Sequence, residues 1–195
     1  MAMKKLLLAL LLTFLPTVAF AQSEAWIYSN PLSINIAEYR PFGFKSFDAL
    51  AAWAGCPGIK ITLTNDNRIN ASYGPYSGIT IYGGLRTNFN KEELAFIFLH
   101  EIGHCIQDKL GMIDNIRSYA DIRSLEFQAD AFAMRLSCVL GIDAIRLERQ
   151  VHYKFADLIH RPYDLETPTH GSAKSRTAWA TQRSMNSCRP AILSP

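Results

Sequence analysis

The chain has no internal repeat, no low-complexity tract and no interdomain linker, which excludes a solenoid or a string of domains. It has no basic block and no aromatic stripe interleaved with one, so nothing in it points to nucleic acid. Beyond residue 21 no apolar run approaches the roughly 20 residues that a membrane span requires. Histidine is scarce, with five in 195 residues, and so is cysteine, with four. Where such rare residues fall is therefore informative.

The first feature present is an export signal. Lys4 and Lys5 precede the apolar run Leu6 to Leu15, and Ala19-Phe20-Ala21 before Gln22 has the form of a cleavage site. The pattern predicts a secretory signal peptide over 1–21 and a single-domain mature chain over 22–195. The run is too short to span a membrane, and no cysteine follows the small-residue site to make a lipoprotein. Loss of Lys4 and Lys5 lowers the formal charge from +3 to +1, 18 basic against 17 acidic side chains, which removes the slight basic excess. The expected product is soluble and exported, periplasmic or secreted, with no stable membrane span after cleavage.

The chemistry lies in His100-Glu101-Ile102-Gly103-His104. Residues four apart share a helix face, so the two imidazoles can hold one Zn²⁺ while Glu101 reaches a water on the metal. With five His and eight Glu in the chain, chance places H-E-x-x-H somewhere with a probability of roughly 0.005. Asn90 and Glu93 have the spacing of a capping box, and Phe89 and Leu94 that of a hydrophobic staple, so a helix should begin at about residue 91. Leu94, Ile97, Phe98, Glu101, Ile102, Cys105 and Ile106 then repeat at three and four residues, while Ala95, Phe96 and Leu99 extend the apolar surface round the helix. This is a buried helix, and polar groups on it need partners or a metal to offset desolvation. Gly103, costly in mid-helix, predicts close approach of another backbone.

A catalytic zinc takes three protein ligands and keeps one position open, so a third donor is expected downstream. Glu126 is the best candidate. Its segment has apolar residues at Leu125, Ala129, Phe132, Ala133 and Leu136, with Gly141 as a stop, which predicts a second helix. Asp130 shares a face with Glu126 and can accept the N–H of a ligating imidazole, fixing its tautomer.

H-E-I-G-H followed by E-F-Q-A-D-A-F-A resembles the gluzincin metallopeptidases, and is most similar to their HtpX-like and CAAX-prenyl-endopeptidase-like branch in a minimal soluble form. Thr169-His170-Gly171 and Arg176 resemble that branch's Thr-His-Pro with a later Arg, Gly standing in place of Pro. The resemblance implies one zinc per chain on His100, His104 and Glu126, and a peptide or unfolded-protein substrate. Glu101 would act as general base. His170 would stabilise the oxyanion, with Tyr73 or Tyr82 as alternative donors. Arg176 is expected to pair with a carboxylate. The rival function is a non-catalytic zinc-binding protein that uses the groove to hold a partner chain.

The rest of the chain predicts an α+β, zincin-like fold, with a small antiparallel sheet packed on the H-E-x-x-H helix and the Glu126 helix. Ile59 to Thr64, Arg68 to Tyr73 and Ser77 to Tyr82 read as a meander, and Gly78 to Gly84 as an edge strand to which an extended substrate could add. Ser46 is expected to cap a short helix from Asp48 to Ala54. Ala144, Leu147, Val151, Phe155 and Leu158 form one face of a later helix, and a last helix covers Ser172 to Ser187. His152 and His160 read as surface or structural residues. Asn70-Ala71-Ser72 is formally a glycosylation acceptor. Cys56, Cys105, Cys138 and Cys188 allow three pairings in an exported protein. If the two site helices run antiparallel, Cys138 stands about 18 Å along its helix from the metal, so Cys105–Cys138 is disfavoured.

Overall fold

The structure, a computed structural model, describes residues 47–187; the signal segment, Ser46 and Cys188 lie outside the described residues. In chain order come α1 (Phe47–Trp53), β1 (Ile61–Leu63), β2 (Ala71–Gly74), β3 (Gly78–Ile81), α2 (Gly83–Asn88) and α3 (Lys91–Lys109). A 3-10 turn (Ile113–Asn115) leads to α4 (Tyr119–Val139), α5 (Ala144–Leu158) and α6 (Ala173–Ser187). The architecture is α+β.

Helix α3 starts where its capping box requires. The Asn90 side chain accepts from the Glu92 and Glu93 N–H groups at 2.9 and 3.0 Å, and Glu93 accepts from the Asn90 N–H at 2.8 Å. Its Phe96, Phe98, Leu99 and Ile102 are almost wholly removed from water, which stabilises the fold by about 1.5–3 kcal/mol for each side chain. Helix α4 is capped by Ser118, which accepts from the Asp121 N–H, and it ends just before Gly141, at φ 76°. Contacts between α3 and α4 pair His100 with Asp130, His104 with Glu126 and Gln107 with Leu125, so the helices run antiparallel. Gly103 is the point of closest approach. A Cβ there would stand 2.9 Å from the Ala129 Cα, which explains the glycine inside the metal helix.

The sheet corrects the expected meander. Its order is β1-β3-β2, with β2 antiparallel to β3 but β1 parallel to it. Gly78 makes this insertion feasible: it sits at φ 76°, and a Cβ on it would stand 2.1 Å from the Lys60 carbonyl oxygen. The Ile79 N–H then donates to that oxygen at 2.8 Å. Ile79 and Ile81 are buried, so β3 is the central strand and not the edge expected from Gly78 to Gly84. Gly83 and Gly84 open α2 instead. The free edge beside the site belongs to β2.

A disulfide joins Cys56 to Cys105, with Cα atoms 6.6 Å apart, and ties the end of α1 to the metal helix. Cys105–Cys138 is thereby excluded, and Cys138 is itself disulfide-bonded. Among the described residues no helix is long and apolar enough to cross a membrane.

Candidate metal centre

Three donors converge between α3 and α4. The Nε2 atoms of His100 and His104 lie 3.1 Å apart, and the Glu126 carboxylate approaches them at 3.5 and 3.3 Å. Tetrahedral zinc with bonds of about 2.0–2.1 Å places its ligands roughly 3.3–3.5 Å apart, so the donor set fits this ion.

The far side of each ring fixes which nitrogen faces the centre. Asp130 Oδ1 lies 2.9 Å from His100 Nδ1, and because Arg176 keeps Asp130 ionised, Nδ1–H donates to it. Gln107 performs the same task for His104. Its amide N–H donates to the Leu125 carbonyl at 2.8 Å, which turns Oε1 toward His104 Nδ1 at 2.8 Å. Each Nε2 is thereby turned toward Glu126; in the neutral ring it presents a lone pair there, so the position calls for a cation, either a proton or a metal ion.

Electrostatics express the same demand for positive charge. Burial alone would push His100 down, but Asp130 and Glu126 outweigh it and lift the imidazole to about 10. Burial likewise opposes ionisation of Glu126, yet hydrogen bonds from His100 and His104 hold it far below the usual carboxylate range. Glu101 is raised by burial, with His100 and His104 opposing the shift. Arg176 grips Asp130 through Nε and Nη2, both at 2.7 Å, and its Nη1 reaches Glu126 at 3.5 Å. It thus pairs with carboxylates, as expected.

A cavity of about 620 Å³ opens on these groups, and Glu101 and His170 line it with the three donors. His170 belongs to a tight loop in which its N–H donates to Thr167 Oγ1 at 3.0 Å and its Nδ1 meets Thr169 Oγ1 at 2.6 Å. Nε2 remains for the cavity. Gly171 stands at φ 69°, a conformation closed to proline, which explains the departure from Thr-His-Pro. The alternative donors are less well placed: the Tyr73 hydroxyl donates to Asp108 at 2.6 Å, and Tyr82 does not line the cavity.

Sequence reasoning missed two residues. Gln107 carried a usable signal, being a polar residue three past His104 on an apolar helix. His152 is buried with its Nε2 3.3 Å from Asp130, whereas its expected place was structural or at the surface; His160 is exposed.

No match was found among curated proteins or solved structures. The family model described as Peptidase family M48 matches residues 45–114, a span that includes α1, the sheet and His100, Glu101 and His104. Glu126, Asp130 and His170 lie beyond the match, yet Glu126 completes the donor triangle. The matched H-E-x-x-H helix, with a carboxylate closing on both imidazoles, makes this site similar to that of the zinc metallopeptidases of the HtpX and CAAX-protease type.

Proposed function

We propose that the chain is an exported endopeptidase with one zinc, whose mature form, 22–195, is a single domain acting on extended or unfolded polypeptide. The observation that carries this reading is the placement of Glu101. It is buried beside the three donors and lines the same cavity, where a purely structural site would need no base. Zinc held by His100, His104 and Glu126 supplies a lowered water pKa, towards about 7, and polarisation of the scissile carbonyl.

The chain's own residues do the rest. Glu101 takes the proton of the attacking water and passes it to the leaving amine, and the burial that raises its pKa suits it to both steps. His170, through Nε2, donates to the oxyanion. Asp130 and Gln107 keep the imidazoles turned inward. Residues Ile69 to Tyr73 form one wall of the cavity, so substrate can add as a strand on the open edge of β2.

Digestion of a reduced, unfolded protein by the purified mature chain, followed by mass spectrometry, tests the proposal. Internal cuts that stop with a chelator and return with zinc are expected. Terminal trimming alone would contradict the endopeptidase assignment.

A further inference from the structure

Behind the metal ligands, α5 supplies two buried polar residues one helical turn apart that the peptidase chemistry leaves unused. Glu148 has no exposed surface, and His152 retains 9%. His152 Nε2 lies 3.3 Å from Asp130 Oδ1 and 3.4 Å from Glu148 Oε1. Asp130 Oδ1 is the same oxygen that accepts the Nδ1–H of His100. Neither His152 Nε2 nor either Glu148 carboxyl oxygen has another well-aligned hydrogen bond. Buried polar atoms are rarely left so, and a histidine and a carboxyl group gathered beside one buried carboxylate need a cause.

A second metal ion is one candidate cause, since Asp130, Glu148 and His152 approach one another closely enough to hold one. Charge argues against it. Arg176 already occupies Asp130 in a two-pronged grip, so a divalent ion there would stand beside a fixed guanidinium. Glu101, Glu126 and Asp130 are balanced by Arg176 and one Zn²⁺. Glu148 fits that balance as an uncharged acid, because burial and the neighbouring Asp130 push it up to about 8. A second divalent ion would leave buried positive charge without a partner.

His152 is better understood as a donor. Burial, reinforced by Arg176, lowers its pKa, so the ring is neutral and carries one proton. Because Nε2 faces two oxygens, one of them on an ionised carboxylate, that proton resides on Nε2. We propose that His152 is a positioning residue of the metal centre: its Nε2–H, backed by the buried carboxyl of Glu148, holds Asp130 in the orientation that fixes the Nδ1–H tautomer of His100. The proposal rests on the reading of His100 as a zinc ligand. It links α5 through α4 to the metal helix, with α6 contributing Arg176.

The test compares wild type with His152→Leu and His152→Gln. Leucine fills the site without a donor; glutamine returns an N–H near the position of Nε2. Zinc dissociation constants come from chelator competition, and unfolding of the metal-free proteins is measured in parallel. His152→Leu should weaken zinc binding by about 10–100-fold and His152→Gln by no more than about threefold, whatever their metal-free stabilities. A purely structural role would lower metal-free stability and leave zinc affinity alone. Unchanged affinity in His152→Leu, or equal weakening in both variants, overturns the proposal while leaving the peptidase reading intact. Two zinc ions per wild-type chain, one of them lost in Glu148→Gln, would make the cluster a second metal site. A wild type that binds no zinc overturns both.

Discussion

At the scale of single residues, protons and zinc compete for one imidazole. His100 is raised from 6.5 to about 10 in the folded chain, so it binds its proton more tightly folded than unfolded. Its contribution to stability is complete below about pH 6.5 and lost as pH rises through about 10. Glu148, raised from 4.5 to about 8, acts in the same sense, its share complete below about 4.5 and gone above about 8. Metal-free protein is therefore expected to lose stability between about pH 7 and 10, and zinc, by displacing the His100 proton, should flatten that loss. Urea midpoints across this range, with and without zinc, check the expectation. A flat metal-free profile would contradict it.

Most residues of the centre were legible in the sequence because local chemistry names them. H-E-x-x-H fixes His100, Glu101 and His104, and helical spacing joins Asp130 to Glu126. Gln107 and His152 were not legible as site residues, because their roles depend on neighbours distant in sequence: the Leu125 carbonyl for one and Asp130 for the other.

At the scale of elements, the packing of α3 against α4 sets the donor triangle, and Gly103 sets that packing. Gly103→Ala would gain about 1 kcal/mol of helix propensity in isolation. In place, the added methyl meets the backbone of α4 at 2.9 Å, so the helices must part. The net effect expected is a loss of roughly 1–3 kcal/mol in chemical denaturation. Weaker zinc binding should accompany it, because Glu126 moves with α4. A more stable variant would show that the helices have room to spare.

Helices α3 to α6 were readable from caps and apolar spacing, because those signals act within a few residues. Strand positions were readable for a similar reason, but strand order was not. It depends on Gly78 letting β3 slide beside Lys60, a contact between segments that a local pattern does not encode. The antiparallel run of the site helices entered the sequence reading only as a condition on the cysteine pairing, and the contacts of His100 with Asp130 and His104 with Glu126 meet it. Pairing of Cys56 with Cys105, by contrast, was one of the arrangements left open until α1 was placed.

At the scale of the whole molecule, four helices and one sheet edge form a cleft whose buried end holds the donors and whose open side exposes β2 and the His170 loop. The fold class followed from composition and periodicity. The cleft did not, since the loop before α6 reaches it only through tertiary contacts such as that between Arg123 and the Thr167 carbonyl, at 3.2 Å. The central claim is that this cleft hydrolyses peptide bonds with Glu101 as base. It is tested most directly by comparing turnover of an unfolded polypeptide by wild type and Glu101→Gln, each carrying the same measured amount of zinc. Glu101→Gln should keep its metal and lose about 10²–10⁴-fold in kcat. Equal turnover at equal zinc content would contradict the account.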